Sequence, residues 1–250
     1  MGEERTFGRL EAAARLLAAW SVFTPSLVLL SLVLVPMLPW RRARVALGGR
    51  YCRWIAPRVM GLLGWTLDVS GEDRIREGPP AVYVLNHSSV VDTGTLMALW
   101  PPLGVCIGKK QLIWLPGFGQ AFALMGNLLV DRGNSPRAVA SVRRMTETVR
   151  ANGFGVVMAP EGTRSLDGKL GAFKKGFAHI AIDAGLPVLP IVLHNAHTLW
   201  PHKTLGLKRG AVRVQVLPPI PTEGWTKESL EDHVDEVRRA FVEALDQPGD

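Results

Sequence analysis

The stretch AVYVL-NHSSVVD-TGTLMALW, residues 81–100, decides the fold. It opens as an unbroken apolar run, passes through Asn86, His87, Ser88, Ser89 and Asp92, and continues as a second apolar segment. A buried strand, a polar loop and a helix in that order put a histidine at a strand-to-helix junction. There α/β proteins hold chemistry on a loop braced from both sides. Two readings of the polar residues stand side by side. In one, Ser89 is a helix N-cap and Asp92 completes a weak capping box while favouring the positive end of the helix dipole. In the other, His87 and Asp92 work as a pair. Five residues along an ideal helix turn by roughly 140°, so a pair requires His87 in the loop and Asp92 in the first helical turn. One Asp is not expected to serve the cap and the ring fully with the same oxygen.

Outward from this stretch, short apolar runs alternate with helical patterns. Strands are expected at 66–70, 81–85, 103–107, 127–131, 154–158, 188–193 and 211–217, and helices at 90–100, 136–151, 173–184 and 226–246. Such alternation implies an α/β fold with a mixed, largely parallel sheet flanked by helices. Residues 66–250 form the α/β domain in this reading, and residues 1–65 an N-terminal membrane-associated helical segment.

That segment has a distinctive composition. No charged residue occurs from Leu16 to Trp40, roughly 37 Å of helix and enough to cross a hydrocarbon core of about 30 Å. Pro25, Pro36 and Pro39 are able to kink or end it, so a re-entrant helix competes with a span. A small-residue cleavage site does not follow the run; WRRAR does, so the segment is read as retained. The basic flank would leave the catalytic domain on the cytoplasmic face. Residues 41–65 mix Arg with Trp54, Ile55, Val59, Met60, Leu62, Leu63 and Trp65, which suits either an interfacial amphipathic helix or a core-packing one.

The chain carries a net charge of +7. Residues 1–60 hold nine Arg against three Glu and so supply +6 of it. Positive charge flanking an apolar run points to an anionic membrane surface and away from nucleic acid. Two cysteines, Cys52 and Cys106, make no disulfide framework and have no zinc spacing. GxxxxGK[ST], GxSxG and GxGxxG are absent, which sets aside P-loop, α/β-hydrolase and Rossmann readings. His194, His197 and His202 lack a neighbouring acid or thiol to complete a metal site, so no metal is expected.

Further cations follow later strands: Arg132 in GNLLVDR, Arg164 in PEGTRS, and Lys174 with Lys175 in FKKG. Beside glycines or at helix starts, such groups suit phosphate. Taken in order over residues 86–193, NHSSVVD, GKKQLIWLPGFG, GNLLVDR, PEGTRS and LPVLPIVL resemble the motif series of the glycerophospholipid acyltransferases, most closely the 1-acyl-sn-glycerol-3-phosphate acyltransferases. The resemblance implies that His87 is a general base oriented by Asp92. It also implies that Arg132 and the block Glu161, Gly162, Thr163 and Arg164 meet the glycerol-phosphate end of the acceptor.

In the same reading Lys109 assists phosphate or carrier binding, and Lys174 and Lys175 meet donor phosphates; Glu161 is expected to hold an Arg or a backbone amide. The implied reaction is acyl transfer from an acyl-CoA or acyl carrier protein thioester to lysophosphatidic acid, with no metal or redox cofactor. Another lysophospholipid acceptor, or a catalytically silent lipid binder of the same fold, is the alternative. Trp114, Leu115, Phe118, Phe122 and Met125 are candidates for an acyl groove or, equally, for the core.

Overall fold

The computed structural model describes residues 5–130, 135–165, 167–201, 204 and 206–246, with the backbone alone over 135–142. A two-residue strand β1 (Arg5–Thr6) leads into α1 (Arg9–Leu34) and α2 (Arg41–Leu62). There follow β2 (Trp65–Ser70), α3 (Asp73–Arg76), β3 (Val82–Leu85), α4 (Val91–Ala98) and β4 (Gly104–Lys109). A 3-10 turn (Lys110–Trp114) precedes α5 (Phe118–Leu124), β5 (Leu128–Val130), α6 (Ser135–Asn152) and β6 (Gly155–Met158). The chain ends with α7 (Gly176–Ala184), β7 (Val188–Leu193), α8 (Ala196–Leu199), β8 (Lys208–Val216) and α9 (Leu230–Leu245).

Five strands run parallel in the order β7-β3-β6-β4-β5. β8 lies antiparallel on β7, and β1 and β2 pair with β8. Because β3 and β7 are covered on both faces, every one of their residues is buried, which is why they read as continuous apolar runs. Alternation then sorts the core. Tyr83, Leu85, Leu189, Ile191 and Val157 face α2 and α4 with Met60, Val91 and Leu99. Val82, Val84, Val156, Val188 and Val192 face the other layer with Met145, Phe177, Ile180, Val237 and Phe241.

The N-terminal segment is a helix pair folded onto this domain. Pro36 and Pro39 sit in the turn between α1 and α2, whereas Pro25 and Pro57 are accommodated inside the helices. Ala12, Ala19, Leu27, Leu30 and Leu34 form one buried stripe along α1. Its other face leaves Leu10, Leu17, Trp20, Leu29 and Leu32 exposed. Both ends of α1 are fastened to the same domain. At the start β1 pairs with β8 and the Phe7 amide donates to the Leu207 carbonyl; at the end Leu30 and Leu34 pack with Cys52, Trp100 and Met125.

Four arginines of α2 meet the protein's own backbone. Arg42 donates to the Asn152 carbonyl at 2.7 Å and Arg53 to that of Trp100 at 3.0 Å. Arg44 donates to the carbonyl of Leu124, and Arg41 reaches that of Gly126 at 3.5 Å. These carbonyls lie at or just past the C-termini of α6, α4 and α5, where the intrahelical ladder runs out and the dipole favours a cation. Four of the six α2 arginines therefore act as helix caps, Arg42 at the surface and Arg41, Arg44 and Arg53 partly buried. Arg50 and Arg58 are exposed, Arg58 lying over the Trp54 ring.

Candidate active site

The parallel strands bring their C-terminal ends to one edge, and the polar motifs follow those ends. His87 comes after β3, Lys109 closes β4, and the Glu161–Arg164 loop comes after β6. Asp131 and Arg132, after β5, lie outside the described residues. Backbone register alone gathers the motifs.

Asn86 makes the first fixed point. Its side chain donates to the Leu193 carbonyl at 2.9 Å and accepts the Leu193 amide at 2.8 Å, continuing the β3–β7 ladder by one side-chain step. The chain then leaves the sheet at a defined place. His87 lies in the loop and Asp92 is the second residue of α4. The imidazole Nδ1 stands 2.8 Å from Asp92 Oδ2. The same oxygen accepts the amides of Ser88 at 2.6 Å and Ser89 at 2.7 Å.

One carboxylate oxygen thus serves the loop and the ring together, contrary to the expected division of labour. Three donors converge on it because the backbone curls around the carboxylate, while the buried Oδ1 has no partner among the described residues. The cap itself is shifted. α4 begins at Val91 after Val90, and Ser89 Oγ accepts the Val91 amide at 3.3 Å while donating to the Trp200 carbonyl at 3.0 Å. Ser89 therefore ties the loop to the segment after α8.

The second wall is the loop after β6. Glu161 is buried, and its two oxygens accept the amides of His87 at 2.9 Å and Gly171 at 3.1 Å. It holds backbone on both sides and no Arg, so its role is to join the two loops. Burial pushes its carboxyl above the usual range, and the two amides oppose that shift. The Ser165 amide donates to the His87 carbonyl at 2.8 Å, so His87 is held at both backbone groups by one loop.

From this loop Arg164 reaches back. Its Nε donates to His87 Nε2 at 3.4 Å, a long contact. With Nδ1 donating to Asp92, Nε2 carries the lone pair, the tautomer a general base requires. Thr163 is exposed in the same turn. Gly162 has φ +75°, and a Cβ there would stand 2.7 Å from Lys174 Nζ, so the missing side chain leaves room for Lys174. Lys175 pairs instead with Glu231 of α9, which draws it from the other candidate cations. Lys109 and the neighbouring Lys110 are exposed.

The apolar candidates divide. Met125 is core, packed against Gly48 of α2, and Phe118 stacks with Phe122. Trp114 and Leu115 line neither groove nor core: they are 81% and 49% exposed. Among the described residues no group of His, Cys, Asp and Glu side chains is placed to hold a metal ion. Of the three loop histidines, His202 lies outside the described residues, His197 packs against Gly168, and the His194 amide bonds to Arg213. The partners that sequence reasoning missed are Asn86, Ser165, Gly171 and Trp200. Asn86 alone had a visible signal, a polar residue directly after a buried strand.

Comparison with known proteins bears on this arrangement. Residues 66–194 match a family model described as acyltransferase. The 1-acyl-sn-glycerol-3-phosphate acyltransferase of Limnanthes alba is 34% identical over 214 residues, covering 86% of this chain and 75% of that one. The protein of the same name from Limnanthes douglasii is 31% identical, covering 97% and 86%. Among solved structures, the 1-acyl-sn-glycerophosphate (LPA) acyltransferase PlsC of Thermotoga maritima superposes with a TM-score of 0.66. It is 25% identical and is covered over 99% of its length, with 94% of this chain.

Proposed function

The chain belongs to the 1-acyl-sn-glycerol-3-phosphate acyltransferase family, and from that premise we propose that it transfers a fatty acyl group from an acyl thioester to the free hydroxyl of lysophosphatidic acid, giving phosphatidic acid. The observation that carries this reading is the placement of His87 Nε2 beside the Arg164 guanidinium. In a 1-acylglycerol 3-phosphate the free hydroxyl sits on the carbon next to the one bearing the phosphate. A phosphate held on Arg164 therefore presents that hydroxyl to the imidazole.

The chemistry follows from the geometry. Nε2 takes the hydroxyl proton as the oxygen forms its bond to the thioester carbonyl carbon. Collapse of the tetrahedral intermediate breaks the C–S bond, and the proton passes from the imidazolium to the leaving thiolate. Asp92 holds Nδ1–H throughout and offsets the transient positive charge, and a base so placed is worth about 10²–10⁴-fold. Glu161 positions the backbone of His87 and does not meet substrate. Arg164 contributes a planar fork suited to phosphate, and Lys109 at the end of β4 is a further candidate contact, as is Arg132 by its place in the sequence motif. Lys174, packed over Gly162, extends the positive rim toward the donor, either acyl-CoA or an acyl carrier protein, whereas Lys175 is held by Glu231.

The membrane assignment rests on α1. It is apolar and long enough to cross a bilayer, yet its two ends are fastened to one domain, which favours a helix lying in one leaflet over one that crosses both. The excess of arginine after α1 supports the cytoplasmic leaflet. The reading is tested with purified full-length protein, labelled acyl thioesters and lysophosphatidic acid: phosphatidic acid should accumulate. No transfer to any lysolipid would overturn it.

A further inference from the structure

The turn after β4 exposes apolar surface without being loosely built. The Leu115 amide donates to the Leu112 carbonyl, the Gly119 amide to that of Leu115, and Gln120 Nε2 to that of Ile113 at 2.7 Å. A Cβ on Gly119 would collide with the Leu112 carbonyl oxygen, so the turn is packed tightly onto α5. From this frame Trp114 and Leu115 project outward, 81% and 49% exposed. A braced loop that presents a tryptophan and a leucine to water is surface built for an apolar partner.

Its charge identifies the partner. Over residues 93–130 the only charged side chains are Lys109 and Lys110, both exposed, and no acid occurs. Exposed lysines directly before an outward Trp and Leu match the layering of a lipid interface, with cations at the head groups and aromatic and aliphatic side chains just beneath. Position agrees, since α5 carries this turn and packs against α1, whose outer face is apolar.

We propose that the Lys109–Leu115 turn is a second membrane contact, inserting Trp114 and Leu115 into an anionic phospholipid bilayer beside α1. This rests on the membrane acyltransferase reading and deepens it. The turn begins where β4 ends, at the strand edge that carries His87, so its insertion brings the mouth of the site to the lipid surface. Acceptor leaving the bilayer then meets Lys109 before it reaches His87.

The test uses the full chain with Cys52 and Cys106 changed to alanine and an environment-sensitive fluorophore on Trp114→Cys. Asp235→Cys is the reference, on α9 at the opposite face of the sheet. On vesicles of phosphatidylcholine with phosphatidylglycerol, emission from position 114 should shift to the blue and be quenched by lipids brominated on their acyl chains. Position 235 should stay quenchable by aqueous iodide. Water-like emission at 114 on vesicles overturns the proposal, as does a blue shift that needs no vesicles and grows with protein concentration, the mark of self-association.

A double variant, Trp114→Glu with Leu115→Glu, should lose about tenfold in transfer to bilayer-embedded acceptor while keeping its rate on a short-chain monomeric one. Equal loss on both overturns the assignment to lipid. Wild-type protein inactive on every lysolipid would defeat the functional reading, and the fluorescence would still decide membrane contact.

Discussion

The α1–α2 pair and the loops at the strand ends both set charged side chains against apolar surface, yet they spend them differently. In α2, Arg42, Arg44 and Arg53 end on backbone carbonyls. Their hydrogen bonds end on the protein's own backbone. At the strand ends the chain of bonds runs from Gly171 and the His87 amide to Glu161, and from Ser88, Ser89 and the His87 ring to Asp92. It finishes on Nε2, which among the described residues has no backbone partner and only the long 3.4 Å contact from the exposed Arg164 side chain. The density of charge does not separate scaffold from site; where the network terminates does.

The largest effects should come from that terminus. His87→Ala is expected to lower kcat by about 10²–10⁴-fold with the melting temperature nearly unchanged, because no backbone group relies on the ring. Asp92→Asn should cost a comparable factor and, in addition, about 1–3 kcal/mol of stability. If the amide oxygen keeps the three donors, its NH₂ falls in the buried place of Oδ1, which has no partner among the described residues. Steady-state kinetics and denaturant unfolding check both, and full activity in either variant would remove the distinction drawn above.

A smaller change should follow at the acceptor end. Arg164→Lys keeps the charge but loses the fork, so KM for lysophosphatidic acid should rise about tenfold, with a lesser fall in kcat. An unchanged KM would move the phosphate elsewhere on the edge.

Much of this was legible beforehand for a physical reason. The strand runs are continuous because the parallel strands are covered on both faces, and the strand at 188–193 was read to the residue. Placing His87 off the helix and Asp92 on its first turn followed from helical geometry once the resemblance had paired the two residues. What could not be read was the pairing of distant backbone groups: Ser165 with His87, Ser89 with Trp200 and Asn86 with Leu193 are contacts across 78, 111 and 107 residues. The carbonyl partners of Arg41, Arg42, Arg44 and Arg53 were hidden for the same cause, since a free helix carbonyl leaves no mark in the composition around its partner. The two-residue strand β1 was too short to carry a pattern.

Glu161 joins the two loops and gives the comparison a pH dependence. Burial, the largest influence, raises its carboxyl above the ordinary 4.5, against the opposing pull of the His87 and Gly171 amides. The folded protein therefore holds this proton more tightly than the unfolded chain. That contribution to stability is fully present below the ordinary value and is lost as pH rises through the raised one. Wild type should thus lose melting temperature relative to Glu161→Gln on raising the pH from about 4. Parallel curves for the two proteins would mean that the carboxyl titrates as an ordinary glutamate.

The smallest expected effect lies in the helical pair and is the sharpest on its side of the comparison. Arg44 donates to the Leu124 carbonyl near the end of α5, while its Nε is buried with no partner among the described residues. The gain from a charged donor on a helix C-terminus is therefore partly cancelled by desolvation. Arg44→Met, which keeps the apolar stem, should cost only about 1 kcal/mol. If α2 uses this charge as a cap, the loss appears in unfolding, and attachment to anionic vesicles is unchanged across salt concentrations. If the guanidinium instead serves lipid, vesicle attachment weakens, its salt dependence becomes shallower, and unfolding does not move. Because the two outcomes fall in different measurements, a single variant decides whether this charge is scaffold or surface.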